Sequence, residues 1–247
     1  MDEIDWSQMR GLADEAHWNQ FVPTSGGELV ATKIRRPGVQ NADYMFPVEK
    51  VILEHKFIQT EFTHNKAFRA RFEAILQKHP ETNPLDERLP LNRELVLLLT
   101  KPIQRILNKA NGQIKGTKTE LRLPDWSGVV LFVNDGLRDV RPELVVGVIS
   151  HVLASQQFSG IDALIYLTNH YVDLPDTPDA KIYWHPLYSP TSTNSLAEFV
   201  NSLGRKWFEF ARQHGALMDS YDVRDQVDLS EMSVIAGPTR NTRYIGE

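Results

Sequence analysis

Three side chains in one short stretch could do chemistry together. In NADYMFPVEKVILEHKFI, residues 41–58, Asp43 precedes a strand-like run that carries Glu54 and Lys56. Side chains two apart on a strand share a face. Ile52, Glu54 and Lys56 therefore point one way, and Val51, Leu53, His55 and Phe57 the other. A hairpin through FPVE would bring Asp43 across to the neighbourhood of Glu54 and Lys56. Two converging carboxylates suit a hard divalent cation, since Mg²⁺ takes oxygen ligands and is held by one or two carboxylates plus water and substrate phosphate. A neighbouring lysine can orient or deprotonate an attacking water and neutralise developing charge. The chemistry these residue types fit is metal-assisted phosphodiester hydrolysis. The competing reading is an ordinary ion pair on a wet strand face. An acid-x-Lys triplet arises by chance in a chain this charged, and Asp179-Ala-Lys181, at a loop end, is such a case.

The elements that must position these residues are legible as periodicities. Trp6, Met9, Leu12, Ala13 and Ala16 stand at helical spacing, which predicts an amphipathic helix over 5–20, broken by Pro23, Gly26 and Gly27. ELVATKI (28–34), ADYMF and KVILEHKFI read as three strands of an antiparallel meander. A helix with Phe68, Phe72, Ile75 and Leu76 on one face follows. After a Pro-rich loop, NRELVLLLTKPIQRILNKA reads as a second helix, kinked near Pro102. NGQIKGTKTE (111–120) reads as a basic loop or hairpin. It is not a phosphate loop, because Gly116 is followed by Thr117 rather than Lys. SGVVLFVNDG and IDALIYLT are buried-type strands around the helix RPELVVGVISHVLA, which predicts a parallel crossover. KIYWHPLY is an edge strand, limited by Pro186. Ser195 with Glu198 suggests a capping box that opens a last helix with Leu196, Phe199, Val200, Leu203, Trp207 and Phe210 as its apolar face. The expected organisation is one α/β domain over 1–215 and an acidic tail over 216–247.

The order helix, three-strand meander carrying Asp…Glu-x-Lys, helix, buried strand resembles the core of the PD-(D/E)XK nuclease superfamily. The match runs over roughly residues 5–134, with Asp43 in NADYMF and Glu54-His55-Lys56 in VILEHKF. Ala42 stands where the motif usually has proline, and the helix and loop over 80–122 exceed the minimal core. The resemblance implies an α/β restriction-endonuclease-like core, a mixed central sheet flanked by helices. It also implies that Asp43 and Glu54 hold Mg²⁺ (or Mn²⁺) and that Lys56 acts on the water. Some members recruit a further acid from the first helix or strand; Glu28 is the first candidate here and Glu15 the second.

Charge distribution bears on the partner. The chain of 247 residues has a net charge of −5, but residues 33–122 carry 17 Lys and Arg against 10 Asp and Glu. A basic middle can bind phosphate although the whole is acidic. Lys33, Arg35, Arg36, Lys66, Arg69 and Arg71 are the candidates to contact nucleic acid, DNA ahead of RNA. Lys101, Arg105, Lys109, Lys115 and Lys118 could also lie along a backbone or simply solubilise their helix and loop. Cysteine is absent, which removes disulfides, thiolate nucleophiles and Cys-based zinc sites. That absence, with no secretion signal and no membrane-length apolar run, fits a cytoplasmic protein. No G-x-S-x-G elbow, dinucleotide fingerprint or HExxH is present. Asn134, Asp135 and His170 fall at the ends of the parallel-type strands, where α/β sheets gather ligands; Asn and Asp there also serve simply as turn formers. A rival expectation is a catalytically inactive restriction-endonuclease-like module for interaction or regulation, with a protein partner or a second copy of the chain.

Overall fold

A computed structural model describes residues 11–34, 36, 38, 40–59, 65–79, 90–138, 140–155, 158–173 and 180–215. Residues 5–10 of the helix expected over 5–20, Arg35 and the acidic tail lie outside the described residues. The protein is an α/β fold: a mixed six-stranded sheet with helices on both faces.

The strands of this sheet are β1 (Glu28–Leu29), β2 (Tyr44–Phe46), β3 (Val51–Ile58), β4 (Ser127–Asn134), β5 (Ala163–Thr168) and, with two strands between, β8 (Trp184–Tyr188). They stand in the order β1-β2-β3-β4-β5-β8. β1, β2 and β3 form the expected antiparallel meander. β3, β4 and β5 are parallel, and β8 closes the edge antiparallel to β5, with Pro186 opposite Ile165. A separate ribbon pairs β6 (Val172–Asp173) with β7 (Ala180–Lys181). The helices are α1 (Glu15–Thr24), α2 (Lys66–Lys78), α3 (Pro90–Leu121), α4 (Pro142–Ser155) and α5 (Asn194–Gln213).

The alternation along the strands divides the core in two. Ile52, Val130, Phe132, Leu164 and Tyr166 pack with α3 and α4 on one face. Val51, Leu53, Val129, Leu131, Ile165 and Leu167 pack with α1 and α5 on the other. There Trp18 of α1 stacks on Trp207 of α5 at 4.7 Å between ring centroids. The parallel strands are buried on both sides, which is why they read as continuous apolar runs.

Four local expectations are corrected. Only Glu28–Leu29 of the predicted strand 28–34 is extended; Val30–Thr32 turn into a 3₁₀ helix and bury Val30 against Met45. α1 begins at Glu15, after Asp14 caps it by accepting from the His17 N–H at 3.0 Å, and it runs through Pro23. α5 is capped by Thr193, whose hydroxyl accepts from Leu196 N, so Ser195 and Glu198 form no capping box. The largest correction is NGQIKGTKTE, which is not a loop: α3 continues through it to Leu121. Ala110, Ile114 and Thr117 are fully buried, so packing outweighs the helix-breaking tendency of Gly112 and Gly116. Gly116 has a separate use. A Cβ there would come within 2.9 Å of the Gln40 carbonyl, so glycine lets α3 approach the chain that enters β2.

α3 runs antiparallel to β3. Its C-terminal end at Leu121 lies just before Ser127, where β4 starts parallel to β3, so moving back along α3 follows β3 toward its C-terminal end. The same segment of α3 is tied to the chain that enters β5: Asn111 accepts from Gly160 N at 2.8 Å, and Lys118 pairs with Asp162 at 3.6 Å. Gly128, in β4, faces the Gly160 carbonyl so closely that a Cβ would lie at 1.8 Å.

Candidate active site

The β2–β3 register brings the predicted acids together. Tyr44 pairs with Leu53 and Met45 with Ile52, so one step further Asp43 stands opposite Glu54. Directly opposed residues have Cβ atoms about 5 Å apart. The two carboxyl groups are close enough for each to shift the other's titration. Lys56, two residues on and on the same face, forms an ion pair with Glu54 Oε1. The sequence separated the faces of β3 correctly, but this face is not wet: Glu54 is 1% exposed.

Backbone and helix fix each member. The Asp43 carboxylate accepts from the His55 N–H at 2.8 Å. Lys56 Nζ also donates to Gln113 Oε1 at 2.7 Å. Gln113 Nε2 in turn donates to the Asn41 carbonyl at 2.9 Å. One turn further along α3, Thr117 Oγ1 accepts from Ala42 N at 2.8 Å. Gln113 and Thr117 thus clamp the two residues ahead of Asp43 and hold the lysine. Sequence reading missed both, because they lay in the stretch assigned to a loop. Helical spacing of Ala110, Ile114 and Thr117 is the signal that would have found them.

His55 faces the α1 side of the sheet. It is buried, and its Nε2–H donates to the Ala13 carbonyl at 3.1 Å. Burial pulls its pKa down to about 4, so the ring is neutral and structural, as a core-facing histidine should be.

The electrostatics of the acid pair are unfavourable as built. Burial, and then the Asp43 charge, push Glu54 up to about 8, against the opposing pull of Lys56. Burial likewise raises Asp43, despite the His55 N–H and Lys56. An ion pair with Lys56 calls for a charged Glu54, whereas a raised pKa calls for a neutral one. Both are met if the two carboxyls titrate as a unit and share one proton at neutral pH, with Lys56 balancing the remaining charge. Glu54 Oε2 is buried and no donor reaches it, and the buried Asn41 Oδ1 is in the same condition. Buried acceptors without donors are costly, and a hard cation relieves that cost. The oxygen set therefore fits Mg²⁺, which needs only one or two carboxylates when water and phosphate complete its shell. Among the described residues, no group of three or more His, Cys, Asp or Glu side chains is gathered for a metal.

The remaining candidates are dispersed. Glu28 pairs with Lys33 at 2.6 Å on the surface. Glu15, the second choice, is the further acid whose charge raises Asp43 and Tyr44. Arg36 pairs with Glu120 at 3.1 Å. Lys66, Arg69 and Arg71 are exposed on α2.

The strand-end polar residues act as turn formers. Asn134 accepts from Leu137 N at 2.8 Å and donates to the Tyr166 hydroxyl at 2.9 Å. Asn169, which the sequence reading passed over, accepts from Ala13 N at 2.8 Å and donates to Asp135 at 3.2 Å. His170 is buried beside them, and burial lowers its pKa to about 4. A pocket of about 260 Å³ lies elsewhere, lined by Ser25, Glu49, Glu198 and Lys206 among others, between the end of α1 and α5. No helix among the described residues is long and apolar enough to cross a membrane.

No family model matches the chain, and neither any curated protein nor any solved structure is significantly similar to it.

Proposed function

We propose that the protein is a metal-dependent nuclease of the PD-(D/E)XK type, with a restriction-endonuclease-like core and Asp43, Glu54 and Lys56 as its centre. The observation that carries this reading is the buried contact of Asp43 with Glu54, beside a lysine and with Glu54 Oε2 lacking a donor. Carboxyl groups perturbed by burial and by each other cluster at functional sites, and this pair is so perturbed. The meander leading to a parallel β3–β4 pair agrees with the resemblance seen in the sequence.

A Mg²⁺ or Mn²⁺ ion held by Asp43 and Glu54 would supply Lewis-acid polarisation of a phosphoryl oxygen and a more acidic bound water. The chain's own residues do the rest. Carboxyl groups coordinate in their deprotonated form, so any proton on the pair has to leave first. Lys56, steered by Gln113, is placed to orient the water and to offset charge on the phosphoryl group. Gln113 and Thr117 keep Asp43 in register.

A second reading has its own observation. Lys56 is already engaged by Glu54 and Gln113, and Glu54 is closed off from solvent. That arrangement suits a catalytically inactive module that keeps the charges as a buried structural cluster. Cleavage of single- and double-stranded DNA and RNA, with Mg²⁺ or Mn²⁺ present or chelated, decides between the two. Cutting that needs metal and is abolished by both Glu54→Gln and Lys56→Ala is the expected result. Equal inertness of wild type and variants across the panel would overturn the nuclease reading in favour of the module.

A further inference from the structure

The geometry points to one row of α3 as the track that a polynucleotide backbone follows into the acid pair; this rests on the nuclease reading and adds the recognising surface. Residues four apart on a helix form a continuous row, each about 6 Å beyond the last. Thr117 and Gln113 are two members of such a row, and they hold the site. The next members toward the N-terminus are Lys109, Arg105 and Lys101. All three are exposed. None makes an ion pair among the described residues, in contrast to Lys33, Arg36, Lys78 and Lys118.

Direction gives the row its meaning. Because α3 is antiparallel to β3, and Gln113 stands beside Lys56, the row continues from Lys109 toward the C-terminal end of β3. Arg105 and Lys101 extend beyond it. They overhang the C-terminal edge of the parallel strands, where open α/β sheets admit ligands. The row drifts about 40° around the helix at each step, so it winds from the solvent side of α3 at Lys101 toward the site at Gln113. From Lys101 to Gln113 it spans about 18 Å, roughly five nucleotides at 3.4 Å per step. A small phosphodiester would need none of these cations; a polymer meets each in turn. Lys33 and Arg36, by contrast, are already paired with Glu28 and Glu120.

The test is fluorescence anisotropy of the full chain with labelled single-stranded and duplex 20-mers, in EDTA, from 50 to 200 mM KCl. Wild type is compared with K101Q/R105Q/K109Q and with K66Q/R69Q/R71Q on the neighbouring helix, all checked for unchanged melting. Loss of three phosphate contacts should flatten the salt slope by about 2 for single strands or nearly 3 for duplex, and weaken binding about a hundredfold or more at 0.1 M salt. The α2 triple, whose cations are equally exposed but lie off this row, should weaken binding less than the α3 triple, and an equal or larger loss in the α2 triple would overturn the row. Wild-type affinity and slope in the α3 triple, no oligonucleotide binding by wild type, or equal affinity for a polyglutamate peptide would each overturn the row. Metal-dependent cleavage measured alongside separates the two claims. Cutting that survives in the α3 triple with unchanged KM removes the row and leaves the nuclease. Row-dependent binding without any cutting removes the nuclease and leaves the row.

Discussion

Replacing Glu54 by glutamine isolates the cost of burying two carboxylates face to face. The amide is nearly isosteric. Its Oε1 can still accept from Lys56 Nζ, while its Nε2 can donate to Asp43, at the position where Glu54 Oε2 now has no donor. The folded wild type holds a proton on the pair up to about pH 8, whereas an exposed glutamate releases it near 4.5. Between these values the native state binds one more proton than the unfolded state. Wild-type stability from this group therefore falls as pH rises, by about 1.4 kcal/mol per unit. This dependence on the Glu54 proton is absent in the variant. Urea unfolding of both proteins at pH 5, 6, 7, 8 and 9 reads this directly. The advantage of Glu54→Gln should grow through the series and level off above pH 8. Curves that stay parallel from pH 5 to 9 would mean that Glu54 does not titrate across this window. The argument from buried like charges would then fail. Mg²⁺ should stabilise wild type and leave Glu54→Gln unmoved, since only the former offers both carboxylates.

Two further outcomes follow from the surroundings of the site. Thr117→Val keeps the shape of a fully buried side chain but leaves the buried Ala42 N–H without its acceptor. It should cost about 1–3 kcal/mol in urea unfolding, with Thr117→Ser closer to wild type; equal stability of Thr117→Val and wild type would show the clamp to be dispensable. His55, His170 and His185 are each held near 4 by burial. The unfolded chain takes up their protons first as pH falls below 6.5, so stability drops there, opposite in sense to Glu54. Together these predict a melting temperature that peaks near pH 6.5 and declines on both sides; a flat profile from 4.5 to 6.5 would contradict the burial of the three rings.

What the sequence determined by itself is what local periodicity encodes. Alternation in VILEHKF separated the face of Val51, Leu53 and His55 from that of Ile52, Glu54 and Lys56, because a strand's period of two admits no other division. The apolar runs SGVVLFVN and ALIYLT marked parallel strands, because only strands covered on both sides can be apolar throughout. The spacing in α5 named its buried face. Adjacent strands joined by a short turn set the opposition of Asp43 and Glu54, so the acid pair was within reach of a sequence argument.

Tertiary structure decided the rest. Whether Glu54 faced water or the interior depended on α3 covering the sheet, and no pattern within β3 states that. The continuation of α3 through NGQIKGTKTE came from burying Ala110, Ile114 and Thr117 against strands far off in sequence, a gain that outweighed two glycines. That continuation delivered Gln113 to Lys56 and Thr117 to Ala42. It also aligned Lys101, Arg105 and Lys109 with them. Glu28 and Glu15 were alike as acids in sequence; the ion pair with Lys33 drew one away, and the packing of α1 on the sheet carried the charge of the other to Asp43. Long-range contacts of this kind depend on which surfaces find each other in space, and a linear pattern of residue types does not specify that choice.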